Sequence, residues 1–226
     1  MRRFFRWTFF STLWFVGLSV AWVLLYAVVP PPITPTMLFD SNGATRDWMA
    51  LSRIDPNMAR AAIAAEDSKF CAHSGFDSEA ISAALERNAR GGRMRGGSTI
   101  SQQTAKNVFL WQGSSTLSRY ARKIPEAWFT LLIEQIWGKR RIMEVYLNVA
   151  ETGIGTYGVN AGAQRYFGHD ASEMSASEAA RIAAILPLPK RRGAIDPHGY
   201  TRRYGNSIAA RIGVVRRDGL GACLND

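Results

Sequence analysis

The chain has 226 residues, two cysteines and three histidines, and it carries a formal net charge of +10. Its hydrophobic content of 47% is enough for a folded core, which excludes a disordered basic tail. The two cysteines are too few for a zinc-finger array or a small disulfide-dense protein. Length and composition therefore predict one folded domain with an additional segment.

The chain begins with a segment that is long and apolar enough to cross a membrane. No charged side chain occurs from Trp7 to Phe39, and Phe9 to Val29 form a 21-residue apolar run, which matches the ~20 residues that a transmembrane helix needs. Because Arg2, Arg3 and Arg6 precede this run, the positive-inside rule keeps the N-terminus in the cytoplasm and exports the rest. The alternative is a cleaved signal peptide, whose apolar region is normally only ~7–15 residues long.

A proline-rich segment follows this anchor of residues 1–29. Four prolines between residues 30 and 35 predict an extended spacer, residues 30–45, that lifts the body of the protein, residues 46–226, away from the bilayer. Beyond the anchor the chain still has 25 Lys and Arg against 18 Asp and Glu, which predicts an anionic partner such as acidic headgroups or a diphosphate. Nucleic acid is not expected outside the cytoplasm. Four basic groups could face this partner or end solvated helices: 139–141, 190–192, 202–203 and 216–217.

Helical periodicity recurs through the body. Asp55-Pro56 is typical of an N-cap followed by proline at the first helical position, and Ser175 with Glu178 fits a capping box. Strand patterns are nearly absent, so the sequence predicts an all-α domain. The predicted helices are Asn57 to His73, Ser78 to Arg90, Thr99 to Phe109, Arg119 to Trp137, Lys139 to Asn148, Tyr157 to Phe167, Ser175 to Leu186 and Thr201 to Val215.

Several familiar signatures occur only in part. Residues 153–158 match G-x-G-x-x-G, but a predicted helix precedes them, where a dinucleotide site needs a strand. Residues 91–98 resemble a phosphate-binding loop, but Gly97 stands in the place of the lysine. The histidines lack the spacing of zinc ligands, and no Ser-x-x-Lys or Lys-Thr-Gly motif occurs. We therefore reject a dinucleotide enzyme, a P-loop protein, a zinc enzyme and a serine transpeptidase.

Two adjacent carboxylates, Glu66 and Asp67, follow an alanine-rich stretch. On a helix they point about 100° apart, so at most one faces an apolar groove and the other caps or pairs. Glu66 is flanked by alanines and is the better candidate for desolvation, which raises the pKa of a carboxyl and suits a general base near neutral pH. The alternative is a surface helix that carries two acidic residues.

A polar stretch begins after Gly96-Gly97, whose backbone N–H groups are free to face an anion. Ser98, Gln102 and Lys106 recur every four residues and share one helical face. Such a face can bind a sugar and a phosphate, or it can be a solvated surface. Further along, Glu126 lies among large apolar residues, which indicates a carboxylate at the edge of a core. Two glutamates across a cleft suit glycosyl transfer.

Four stretches of the sequence are long and ordered: EDSKFCAHSGFD at 66–77, GGSTISQQTAKN at 96–107, RKIPE at 122–126 and YLN at 146–148. Together they resemble the signature motifs of the peptidoglycan glycosyltransferases of glycosyltransferase family 51, over roughly residues 40–215. The single anchor and the missing transpeptidase motifs resemble the monofunctional members. The resemblance implies an all-α, lysozyme-like domain of two lobes that polymerises lipid II into glycan strands.

The resemblance also implies a role for each matched residue. Glu66 is the expected general base, which removes a proton from the 4-hydroxyl of the acceptor N-acetylglucosamine. That oxygen attacks C1 of N-acetylmuramic acid in the growing strand, and undecaprenyl pyrophosphate leaves with inversion. Glu126 is expected to orient the substrate and to stabilise the transition state. The expected substrate-binding residues are Ser98, Gln102, Gln103, Lys106, Arg122 and Lys123, with Arg119 added because the family often has another arginine at the neighbouring position 118.

The resemblance finally implies partners and a location. Lipid II, the growing glycan strand and membrane lipid are the expected partners in cell-wall biogenesis and cell shape, with other cell-wall synthases left open. The catalytic domain is expected on the periplasmic side of the bacterial inner membrane. No metal ligands and no obligatory cofactor are expected, and stimulation by Mg²⁺ or Mn²⁺ is left open. Cys71 and Cys223 would form one disulfide in an oxidising compartment, or they are two separate core residues.

Three other functions stay as alternatives. A lytic enzyme of similar fold would use similar carboxylates but needs a general acid and acts on the finished polymer. A scaffold in the cell-wall machinery would need neither glutamate. A basic adaptor would bind anionic lipid through charge alone, and salt would weaken it.

Overall fold

The computed structural model describes residues 1–91, 97–113 and 115–225, and they are mostly helical, which confirms the predicted all-α class. The elements in chain order are α1 (Arg2–Val28), α2 (Pro35–Leu38), β1 (Thr45–Arg46), α3 (Pro56–Glu66), α4 (Ser78–Ala89), α5 (Ile100–Phe109), α6 (Thr116–Ala121), α7 (Lys123–Ile136), α8 (Gly138–Val149), β2 (Glu151–Gly153), β3 (Thr156–Tyr157), α9 (Val159–Phe167), α10 (Ala176–Ile185) and α11 (Gly199–Arg217). Short 3-10 helices lie at Ala171–Glu173 and Ala222–Leu224.

Two groups of helices form the body. Helices α3, α10 and α11 pack against one another, and α5, α7 and α8 form the second group. Fully buried residues from both groups join one core, among them Ile63, Ile133 and Ile182. This is the predicted lysozyme-like arrangement. The gap between the two groups of helices is where the candidate site lies.

Helix α1 has 27 residues and is, within the described residues, the one helix long and apolar enough to cross a membrane. Its last part packs on the body instead of standing apart from it. Ser19 Oγ accepts a 3.0 Å hydrogen bond from Trp128 Nε1, and the carbonyl of Val23 accepts a 2.8 Å hydrogen bond from Trp137 Nε1. The proline-rich spacer therefore does not hold the body apart from the end of α1.

The spacer itself is also partly helical. Thr34 caps the short helix α2, and Pro35 occupies its first turn, where its missing N–H is not needed. The Thr36 hydroxyl donates to the carbonyl of Leu110 at 3.1 Å, which ties the spacer to the end of α5.

A small three-stranded sheet has the order β1-β3-β2. Strand β1 pairs with β3 in parallel, with Thr45 opposite Thr156, and β2 with β3 forms an antiparallel hairpin. The hairpin turn contains Gly155 at φ +62°, and a Cβ there would lie 2.7 Å from the carbonyl oxygen of Asn42. The glycines at 153–158 thus serve a tight hairpin, not a phosphate-binding turn of a βαβ unit.

Two predicted helices end differently, while the others agree with the structure within two residues at each end. The helix predicted to run to His73 stops at Glu66, because Asp67 leaves the helical conformation and its side chain binds elsewhere. The helix predicted from Arg119 to Trp137 is divided at Arg122. Pro125 has no N–H to bond the carbonyl of Ala121, so it occupies the first turn of a new helix.

The C-terminal tail is joined covalently to the segment after α3. Cys71 and Cys223 form a disulfide with a Cα–Cα distance of 5.6 Å, which confirms the predicted pairing. The bond links residues 152 positions apart, and it fixes the tail beside the helix that carries Glu66.

Candidate active site

A cleft of about 450 Å³ lies between the two groups of helices. Helix α3 and the segment from α10 to α11 form one wall, and α5 with the start of α7 forms the other. The structure brings together all the predicted site residues except Arg119, namely Glu66, Ser98, Gln102, Gln103, Lys106, Arg122, Lys123 and Glu126. The glycine Gly96, predicted to precede the polar face, lies outside the described residues.

Glu66 is the last residue of α3, and its carboxylate faces the cleft. Burial raises the pKa of Glu66 above its usual value. A 2.9 Å hydrogen bond from Gln103 Nε2 to Glu66 Oε2 opposes this rise, and so do the charges of Lys106 and Arg192. A carboxylate with a raised pKa and one fixed donor can accept a proton near neutral pH.

Asp67, the second carboxylate of the pair, is buried and does not line the cleft. Its Oδ2 accepts a 3.0 Å hydrogen bond from the backbone N–H of Ile100, the first residue of α5. His73 Nδ1 accepts from the N–H of Gly75, so its Nε2 carries the proton that is donated to Asp67 at 2.9 Å. As predicted, one carboxylate faces the cleft and the other pairs, and the pairing fixes α5 to the end of α3.

Helix α5 presents its polar face to the cleft, as its four-residue spacing predicts. Thr99 and Gln102 form a capping box, in which Gln102 Oε1 accepts from the N–H of Thr99 at 3.0 Å. Because that oxygen is engaged, the amide N–H groups of Gln102 are the part available to a ligand. Burial lowers the pKa of Lys106, and the neighbouring charge of Arg122 lowers it further.

Glu126 lies in the first turn of α7 and is only 2% exposed. Lys123 Nζ donates to its Oε1 at 2.6 Å and to Ser98 Oγ at 3.3 Å. Arg122 Nε lies 3.6 Å from Glu126 Oε2, and neither of these two atoms has a hydrogen-bond partner within the described residues. Together with Lys106, three cations surround one carboxylate, so this wall has an excess of positive charge that suits an anionic group.

Arg119 is the predicted site residue that the structure does not bring into the cleft. It lies exposed on α6, and its Nη2 donates to Thr116 Oγ1 at 3.3 Å. The segment 112–120 is helical from Thr116 onward, and its residue 114 lies outside the described residues.

Among the other residues that line the cleft, three have polar side chains that were not predicted as part of the site: Arg192, Tyr200 and Tyr204. Arg192 belongs to the basic group 190–192, whose charge indicated an anionic partner without indicating where it binds. Nothing in the sequence marked the two tyrosines as site residues, because an aromatic pair four residues apart is also typical of a helix that packs on a core.

The described residues contain no group of three or more His, Cys, Asp or Glu side chains placed to hold a metal ion. The two carboxylates of the cleft are bonded to Gln103 and Lys123 instead. The cleft therefore combines a carboxylate that can accept a proton with a wall of positively charged side chains.

Comparison with known proteins gives one consistent result. A family model described as Transglycosylase matches residues 34–212. A protein of Caulobacter vibrioides named biosynthetic peptidoglycan transglycosylase is 51% identical over 205 residues, 89% of this chain and 88% of that protein. Proteins with the same name are 48% identical in Rhodospirillum centenum, covering 92% of this chain and 90% of that protein, and 44% identical in a Jannaschia species, covering 97% and 90%.

Proposed function

This chain belongs to the transglycosylase family and is a peptidoglycan glycosyltransferase, and from the geometry of its cleft we propose that it polymerises lipid II into glycan strands. The observation that carries the proposal is a partly buried glutamate of raised pKa that faces a wall of three cations in one cleft. Lipid II has the matching chemistry, because it combines a sugar hydroxyl that must lose a proton with a diphosphate leaving group.

In the proposed reaction, Glu66 takes the proton of the 4-hydroxyl of the acceptor N-acetylglucosamine. The oxygen forms a bond to C1 of N-acetylmuramic acid at the end of the growing strand. The bond from C1 to the diphosphate breaks on the opposite face, so the anomeric centre is inverted and undecaprenyl pyrophosphate leaves with the electron pair. Glu66 then returns its proton to solvent. The hydrogen bond from Gln103 holds the carboxylate in position for the first step.

The cationic wall supports departure of the diphosphate. Lys106, Arg122 and Lys123 place positive charge where negative charge develops on the leaving group. Arg122 is held by a 2.8 Å hydrogen bond from its Nη1 to the carbonyl of Trp111, which leaves its Nε unpartnered within the described residues. Glu126, fixed by Lys123, supplies negative charge that balances the positive charge developing at C1.

We propose that Mg²⁺ or Mn²⁺, where it stimulates the reaction, is bound by the diphosphate of the substrate, whose oxygens are the ligands that these ions prefer. We propose further that α1 spans the bacterial inner membrane with Arg2, Arg3 and Arg6 in the cytoplasm. In this orientation the cleft faces lipid II on the periplasmic side, where the enzyme can act beside other cell-wall synthases.

The test is conversion of labelled lipid II by the full-length protein in detergent. Wild type is expected to make glycan polymer, Glu66→Gln none, and Glu126→Gln far less than wild type. Glu79→Gln is the matched control, because it makes the same change on an exposed side chain of α4. No polymer from wild type, or normal activity of Glu66→Gln, would overturn the proposal. Release of short soluble fragments from finished peptidoglycan would instead indicate a lytic enzyme.

A further inference from the structure

Arg192 follows α10 and lines the wall of the cleft opposite Arg122 and Lys123. Its guanidinium is held in two ways. Nη1 donates a 2.8 Å hydrogen bond to the carbonyl of Ala184, and the guanidinium carbon lies 5.1 Å from the centre of the Tyr200 ring. A guanidinium that stacks on an aromatic ring keeps its edge free for hydrogen bonds, which an ammonium cannot do.

The ring under Arg192 is itself braced. Tyr200 stacks on Tyr204, one helical turn further along α11, with ring centres 5.7 Å apart and an interplanar angle of 22°. The Tyr204 hydroxyl donates a 2.9 Å hydrogen bond to the carbonyl of Ala65, the residue before Glu66. Three stacked layers therefore connect the guanidinium to the end of α3, and they fix Arg192 relative to the proposed base.

The two basic residues before Arg192 differ from it in their surroundings. Lys190 Nζ lies 2.8 Å from Asp40 Oδ2 and 3.5 Å from Glu151 Oε1, so its charge is already paired. Arg191 is exposed, and no side-chain hydrogen bond or ion pair of it occurs within the described residues. Of the three, Arg192 alone lines the cleft.

Arg192 also has no carboxylate within ion-pair distance among the described residues, and the carbonyl of Ala184 uses one of its five N–H donors. A partly buried guanidinium that is held on both sides and has no counter-ion is preorganised for an anion of the ligand. Its charge reaches Glu66, where it opposes the rise of the pKa that burial causes.

We propose that Arg192, held by the Tyr200–Tyr204 stack, forms a second anion-binding site of the cleft and binds a diphosphate on the wall opposite Arg122 and Lys123. This inference rests on the proposed function, in which two lipid-linked substrates meet and each carries one diphosphate. The wall of Arg122 and Lys123 binds the diphosphate of one substrate, and Arg192 binds the diphosphate of the other. Glu66 lines the same cleft as both cationic groups, as transfer between two such substrates requires.

Binding of inorganic pyrophosphate tests this inference without any need for polymerisation. Full-length protein in detergent at low salt is titrated by calorimetry. Arg192→Met is expected to remove one binding event or to weaken it by about tenfold or more. Arg191→Met removes the same charge from the adjacent exposed position and is expected to stay within about twofold of wild type. Lys123→Met should weaken the other event and leave the Arg192-dependent one in place.

The stack is tested by two substitutions of its middle layer. Tyr200→Phe keeps the ring and should bind pyrophosphate as wild type does, whereas Tyr200→Leu should weaken binding in the same way as Arg192→Met. Thermal unfolding by circular dichroism shows that each variant is folded. The inference is overturned if wild type binds no pyrophosphate, if Arg192→Met titrates like wild type, or if Arg191→Met is equally weakened. Each of these results is independent of whether wild type polymerises lipid II.

Discussion

The side-chain amide of Gln103 donates a 2.9 Å hydrogen bond to Oε2 of Glu66 across the cleft. The two residues come from different groups of helices, Glu66 from the end of α3 and Gln103 from the first turn of α5. This one bond orients the carboxylate and stabilises its ionised form against the burial that raises its pKa.

Gln103→Leu should therefore shift the pH dependence of polymerisation. Removal of the donor raises the pKa of Glu66 further, and a general base works only when it is ionised. The acidic limb of the plot of kcat against pH is expected to move to higher pH, with lower activity at neutral pH. Gln135→Leu, on an exposed position of α7, serves as the control. An unchanged acidic limb in Gln103→Leu would show that the bond does not tune the base.

Glu66→Gln should stabilise the fold at neutral pH while it abolishes activity. The pKa of Glu66 is raised in the folded protein, so below its unfolded pKa both states hold the proton and the buried group costs nothing. As the pH rises through the folded pKa, the folded state must ionise a buried carboxyl and stability is lost. The glutamine cannot ionise, so the melting temperature should exceed that of wild type at pH 7.5.

The same comparison at about pH 4 is the internal control for this prediction, because Glu66 is then largely protonated in both states. The difference between the two melting temperatures should become small there. A difference that is equal at both pH values would contradict the assignment of the effect to a buried charge.

The disulfide between Cys71 and Cys223 should contribute strongly to stability, because it restricts the unfolded chain over 152 positions. Replacement of both cysteines by serine is expected to lower the free energy of unfolding by about 2–5 kcal/mol. Urea unfolding with and without a reductant measures this. The reductant should lower the stability of wild type toward that of the double variant and leave the double variant unchanged. Two free thiols in unreduced, denatured wild type would contradict the pairing.

The contact between the anchor and the body predicts that a residue of α1 stabilises the catalytic domain. Trp22 lies 5.3 Å from the ring of Phe109 and 6.3 Å from that of Phe129, which are themselves stacked at 4.4 Å. Trp22→Ala is expected to cost about 2 kcal/mol in the free energy of unfolding in detergent. Trp14→Ala is the matched control, since Trp14 on the same helix is 68% exposed. Equal effects of the two variants would show that the contact contributes nothing.

Local features of this protein follow from the sequence, because they depend on residues within one or two helical turns. The uncharged run before Pro30 predicts α1, and the capping box at Ser175 predicts where α10 begins. The four-residue spacing of Ser98, Gln102 and Lys106 predicts that they share a face, and the structure places all three in the cleft.

Features that depend on distant parts of the chain could not be predicted in this way. The helix before Asp67 ends early because its carboxylate binds the backbone of Ile100, and α1 packs on the body because Trp128 and Trp137 find partners on it. Neither cause leaves a local pattern, since a hydrogen bond between remote segments imposes no periodicity on either one.

The sequence by itself therefore determined the helical class and the apolar anchor, since spacing and local capping carry that information, and the resemblance of its four motifs to a known family indicated most residues of the candidate site. Only the tertiary structure decided that Arg119 faces solvent and that Arg192 lines the cleft together with Glu66. Both are arginines in basic stretches, and charge alone does not distinguish them. Whether each one lines the cleft is set by how α6, α10 and α11 pack, and this packing depends on long-range contacts rather than on neighbouring residues.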